Sequence, residues 1–96
     1  MKTVLGHADR AALLPRLGVN GWDYESDPTA ITKTFRFSNF REAFAWMTQA
    51  AFWAEKMDHH PEWSNVYGEV TVRLTTHSAG GVTELDVDLA QRLDAI

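Results

Sequence analysis

Three of the four histidines stand where an acid and a base could be assembled: His59 and His60 adjoin after a long helical pattern, and His77 follows a strand pattern. Imidazole is the side chain whose ordinary titration lies nearest neutrality, so this residue type can both donate and accept a proton there. Expelling a hydroxyl as water needs both acts: an acid protonates the departing oxygen, and a base takes a neighbouring proton. Each histidine also has a purely structural reading. A histidine in a last helical turn interacts favourably with the carbonyl-rich end, and strict alternation would place His77 opposite the Val70, Val72 and Leu74 face. His7 reads as a surface residue.

Carboxylates frame this set. Glu55 lies four residues before His59, hence on the same helical face, where it could orient the imidazole or simply be solvated. Asp58 sits at the helix end, against the dipole, which hints at another use. Asp86 comes three residues after Thr83, the spacing of a capping box. Trp63 is either core or a ring that stacks on a flat heterocycle. Glu55, His59, His60 and His77 are all metal-capable types, yet no HExxH pattern is present. Adjacent helical histidines, moreover, point about a quarter-turn apart. No metal is expected, and phosphate-binding glycine motifs are missing as well.

The elements that must position these residues can be read from periodicity. Ala11, Leu13, Leu14 and Leu17 predict a short helix over Ala8 to Leu17 that Pro15 limits. Trp22 and Tyr24 alternate with Asp23 and Glu25, and a turn at Ser26-Asp27-Pro28 leads into a strand from Ala30 to Phe37, whose apolar side Lys33 interrupts. Phe40, Ala43, Phe44, Met47, Ala50, Ala51, Ala54 and Met57 form one stripe of a long helix, begun by Asn39 with Glu42 and stopping near His59 ahead of Pro61. Trp63 to Tyr67 reads as a short strand and Gly68 as a turn. Val70, Val72 and Leu74 mark another strand. A flexible connection from His77 to Gly81 leads to a last helix, capped by Thr83, with Leu85, Leu89, Leu93 and Ile96 buried. The fold class is α+β: a four-stranded antiparallel sheet with three helices on one face, in the order α-β-β-α-β-β-α.

Composition bounds the rest. Ninety-six residues fit a single domain, 1–96, with one core, and a domain so small gains from self-association. A net charge of -4 gives no electrostatic reason to seek nucleic acid or an anionic membrane. The absence of cysteine excludes disulfides and thiolate chemistry. Met1 to Leu17 carries Lys2, Asp9, Arg10 and Arg16 and no apolar run of spanning length, so a cytoplasmic location is expected.

The run Glu55-Lys56-Met57-Asp58-His59-His60-Pro61-Glu62-Trp63-Ser64-Asn65-Val66-Tyr67, followed by Thr75-Thr76-His77 and then Asp86, resembles the pterin-4a-carbinolamine dehydratase family. Glu55, His59, His60, Pro61, Tyr67, His77 and Asp86 fill every place of that family's pattern. The likeness extends through Gly21-Trp22, Phe35-Arg36-Phe37 and the long helix rich in phenylalanine and alanine.

The resemblance implies dehydration of a 4a-hydroxytetrahydropterin, such as 4a-hydroxytetrahydrobiopterin, to quinonoid dihydropterin and water, without a cofactor. It thereby implies recycling of the tetrahydropterin used by aromatic amino acid hydroxylases. It makes His59 and His77 the acid and base, with His60 binding substrate or stabilising charge. Glu55 would support His59, and Pro61 would fix the turn that aims the pair. Thr76, His77, Ser78 and Ala79 would touch the ring system through their backbone, beside Trp63. Asp86 would orient a histidine or cap its helix, and Asp58 would lend support. Dimers or dimers of dimers are implied too. A different class of function, also found among proteins of this likeness, is non-catalytic: a dimerisation cofactor for a homeodomain transcription factor, or an assembly factor for the carbon-fixing enzyme. A metal-dependent hydrolase is a third class, disfavoured by the missing ligand spacing.

Overall fold

Alternation in β4 (Glu69–Leu74) organises the molecule: Val70, Val72 and Leu74 are fully buried while Glu69 and Thr71 face outward. β4 pairs antiparallel with both β2 (Ile31–Arg36) and β3 (Glu62–Val66). β1 (Asp23–Tyr24) adds two residues to β2, giving a four-stranded sheet in the order β1-β2-β4-β3 with β1 and β3 at the edges. The helices are α1 (His7–Val19), α2 (Phe40–Met57) and α3 (Glu84–Asp94), and a 3₁₀ turn covers His77–Ala79. This is the expected α+β order with that turn inserted. The computed structural model describes residues 6–25 and 29–96, apart from the side chains of 7–11. The expected turn at Ser26-Asp27-Pro28 and the surface placement of His7 lie outside the described residues.

One cluster forms the core: Ile31, Val70, Val72 and Leu74 from the sheet meet Leu17 of α1, Ala43, Trp46 and Ala50 of α2, and Leu89, Ala90 and Leu93 of α3. The opposite sheet face carries Thr32, Thr34, Thr71 and Arg73, and Thr34 and Thr71 share a hydroxyl contact at 3.2 Å. Asn39 starts α2 by accepting from the backbone N–H of Glu42 at 2.9 Å, an interaction of about 1 kcal/mol.

Several expectations need correction. α1 runs on through Pro15 to Val19. The proline costs one internal hydrogen bond, but buried Leu17 and the bonds from Asn20 and Trp22 N–H to its carbonyl hold the helix end. The stripe of α2 is rotated: Trp46 is buried, whereas Phe40, Phe44 and Ala51 are exposed. In α3, Val87 and Asp86 share the buried face, and Ile96 lies beyond the helix and is exposed. At the β3–β4 turn the left-handed residue is Tyr67 (φ 53°). Gly68 is needed for room, because a Cβ there would run into the Phe37 carbonyl oxygen.

Lys33, which breaks the apolar side of β2, has a nonlocal answer. Its ammonium donates to Asp94 Oδ1 at 2.6 Å and lies 4.5 Å from the Phe35 ring centroid, while Trp22 Nε1 donates to Asp94 Oδ2 at 2.9 Å. Asp94 thus ties the end of α3 to β2 and to the entry of β1. Asp94→Ala should lower unfolding free energy in urea by about 1–3 kcal/mol, since it strands two donors. Lys33→Met in that background should recover part of the loss by removing the unpaired ammonium.

Candidate active site

Helix α2 stops because Asp58 takes the left-handed conformation (φ 51°, ψ 44°), which a short polar side chain tolerates. Its N–H still reaches the Glu55 carbonyl and that of His59 reaches Ala54, closing the last turn. Beyond that residue the 3.6-residue period no longer applies, and the two histidines part. His59 turns inward and is 9% exposed. His60 stays outside and folds back over the helix.

His59 Nε2 and Asp86 Oδ1 are 2.5 Å apart, and Asp86 is wholly buried. A carboxylate only accepts, so the ring proton sits on Nε2 and Nδ1 is left for another partner. Asp86 Oδ2 accepts from Thr76 Oγ1 and from the Thr83 N–H, both at 2.8 Å. Thr83 Oγ1 in turn accepts from the Leu85 N–H at 3.2 Å and lies 2.8 Å from Thr76 Oγ1. Because Thr76 spends its proton on Asp86, the Thr83 hydroxyl must be the donor between the two threonines. The capping box read from Thr83 and Asp86 is present, and the same carboxylate orients a histidine: the two readings of Asp86 hold together.

His60 Nε2 lies 2.9 Å from Glu55 Oε1. The expected partnership of Glu55 with His59 is therefore corrected. The i,i+4 geometry presumed a helix continuing to His59, and the left-handed turn at Asp58 ends it first. The exposed side chain of Asp58 itself joins no hydrogen bond or ion pair among the described residues, so its part here is the backbone turn. Pro61 then leads into β3, where half-buried Trp63 packs against the core.

His77 opens the 3₁₀ turn, three residues past the end of β4, so alternation does not reach it. Thr76 is buried, Ser78 exposed and Ala79 half-buried. Gly80 closes the turn at φ 81°. His77 Nε2 lies 3.0 Å from Glu62 Oε2, with its side chain 82% exposed. The same oxygen accepts from Arg73 NH1 at 3.0 Å, and Arg73 forks onto Glu25 through Nε at 3.0 Å and NH2 at 2.9 Å. That fork holds the Glu25 carboxyl below the ordinary range, first through the hydrogen bond and then through charge, and raises Arg73. Sequence reading missed Glu62, Arg73 and Glu25. Register counted back from a two-residue turn at Tyr67-Gly68 would have set Glu62 opposite Arg73.

Each of the three imidazoles thus has Nε2 committed to its own carboxylate: His59 to Asp86, His60 to Glu55 and His77 to Glu62. Among the described residues no three histidine, cysteine, aspartate or glutamate side chains gather to hold a metal ion. No helix of the described residues is long and apolar enough to cross a membrane.

The family model described as pterin 4 alpha carbinolamine dehydratase matches residues 3–96. A protein of Jannaschia sp. (strain CCS1), named "Putative pterin-4-alpha-carbinolamine dehydratase", is 54% identical over 96 residues, covering 100% of this chain and 98% of its own. One of the same name from Ruegeria pomeroyi is 50% identical, covering 100% and 99%. The crystal structure of a transcriptional coactivator/pterin dehydratase from Brucella melitensis superposes with a TM-score of 0.88 at 45% identity, covering 97% of each chain. A pterin dehydratase-like protein identified as a RuBisCO assembly factor in the alpha-carboxysome shares the fold, with a TM-score of 0.66 at 24% identity over 78% of this chain and 87% of its own.

Asp86→Asn should cost about 3 kcal/mol in urea unfolding, because it breaks a buried pair and misplaces a donor against Thr76 and Thr83. Asp58→Asn, exposed and compatible with the left-handed turn, should stay within about 0.5 kcal/mol of the wild type. The Glu25 carboxyl titrates lower when folded than when unfolded, so its contribution is full above the ordinary carboxylate value and fades as pH falls through the lower folded value. The wild type should therefore exceed Glu25→Gln in urea midpoint at neutral pH, and the two should converge in acid.

Proposed function

The chain belongs to the pterin-4a-carbinolamine dehydratase family, and on that premise we propose that it dehydrates a 4a-hydroxytetrahydropterin to quinonoid dihydropterin and water. The reaction breaks the C4a–O bond and forms a double bond from C4a to N5. An acid delivers a proton to the departing hydroxyl, and a base takes the proton from N5. The observation that carries this reading is the set of three imidazoles with Nε2 bonded to carboxylates and Nδ1 left for a substrate. His59 and His77 act as the acid–base pair, and His60 binds the substrate or stabilises charge. Thr76, Ser78 and Ala79 contact the ring system through their backbone, with Pro61 and Trp63 bordering it, and no cofactor takes part.

The product returns to an aromatic amino acid hydroxylase as tetrahydropterin after reduction, in the cytoplasm. A homodimer or homotetramer fits the surface: Phe40, Phe44 and Phe52 are exposed on α2, and Val66 and Tyr67 at the β3 edge. These same surfaces support the second reading, a protein-binding role of the kind named for the Brucella structure as a transcriptional coactivator.

The test generates the carbinolamine in situ with a phenylalanine hydroxylase and follows its dehydration in the presence of a chelator. The wild type should outpace the spontaneous reaction, and His59→Ala and His77→Ala should each lose about a hundredfold or more. A wild type no faster than the spontaneous reaction would overturn the dehydratase reading in favour of protein binding.

A further inference from the structure

Among the described residues, the pair of His77 is the imidazole–carboxylate pair that continues into a longer chain of charges. Glu62 and Arg73 are direct partners across β3 and β4, so their side chains leave the sheet on the same face. That face is the one turned away from the helices. Arg73 reaches along it in two directions, gripping both oxygens of Glu25 beyond β1 and one oxygen of Glu62 on β3. Thr29 Oγ1 also donates to Glu25 at 3.4 Å, and Thr75 Oγ1 donates to the Thr29 carbonyl at 2.6 Å, which fastens the Glu25 end to the end of β4.

The guanidinium is rigid and always charged, and its two-pronged hold on Glu25 fixes the direction from which NH1 meets Glu62 Oε2, which a lysine would not do. Glu62 Oε2 then serves two donors at once, Arg73 NH1 and His77 Nε2, each at 3.0 Å. His77 needs such a fixture more than His59 does. Its side chain is 82% exposed and stands on a short 3₁₀ turn, whereas His59 is enclosed by the protein.

We propose that Glu62, held by Arg73 and through it by Glu25, is a positioning residue for His77 that keeps the ring proton on Nε2 and presents Nδ1 to the substrate. This rests on the dehydratase reading for its catalytic consequence, while the ring geometry stands apart from it. Among the described residues, the charged groups linked to His77 directly or through one another are Glu62 on β3, Arg73 on β4 and Glu25 just past β1. Exposed ion pairs contribute little to stability, so the network's effect is on the orientation and tautomer of one ring.

The test records the ring ¹⁵N shifts of His77 in the labelled full-length protein under alkaline conditions, alongside kcat and KM. The wild type should carry its proton on Nε2. Glu62→Leu should mix the two tautomers and lower kcat roughly tenfold, a part of the hundredfold or more that a whole acid or base supplies, with KM and urea midpoint nearly unchanged. Arg73→Leu should lower kcat less, and its effect should vanish in the Glu62→Leu background because it acts through Glu62. Wild-type ring shifts and kcat in Glu62→Leu, or losses that simply add in the double variant, would overturn the proposal. If the wild type showed no dehydratase activity, the ring shifts would still decide whether Glu62 sets the tautomer.

Discussion

A buried carboxylate with both oxygens engaged is the constraint on which this site depends. Asp86 has no access to solvent, so each of its oxygens must find donors inside the protein. It finds them on three separate segments: His59 just past α2, Thr76 just past β4, and the Thr83 N–H at the start of α3. Those three chain ends are consequently brought to one point. No described buried side-chain polar atom is left without a partner, so this polar knot sits inside an apolar core without a stranded group.

The site joins two kinds of imidazole. His59 owes its placement to burial and to a carboxylate that solvent does not reach. His60 and His77 are held at the surface by glutamates that are themselves exposed, 82% for Glu55 and 48% for Glu62. Water competes for the surface pairs and not for the buried one, so the rigidity of the rings is graded across the site. The ring of His59 is therefore fixed by its surroundings, while those of His60 and His77 lean on single exposed partners.

Much of this was legible from local patterns. The alternation of Val70, Val72 and Leu74, the Thr83 to Asp86 spacing and the Asn39 cap each correspond to an element in place. What escaped was nonlocal or depended on one backbone angle. The stop of α2 was read near His59, ahead of Pro61, but the helix ends at Met57 before the left-handed Asp58, and that shift of two residues exchanges the partner of Glu55. Lys33 looked like a flaw in β2 because its partner Asp94 lies 61 residues away. Phe40 and Phe44 follow the apolar period of α2 yet remain exposed, since periodicity registers apolar character and not what covers it.

The position of α3 in the chain has a consequence for how the molecule is made. All four strands precede it, yet its Leu89, Ala90 and Leu93 cover the inner face they create, and its Asp86 completes the polar knot. As the polypeptide leaves the ribosome from its N-terminal end, α1 and α2 are available to cover that face before α3 is, and His59 and Thr76 emerge without their acceptor. Synthesis order therefore makes the hydrogen-bond knot around Asp86 wait for α3, and ties its appearance to the packing of that helix on the core.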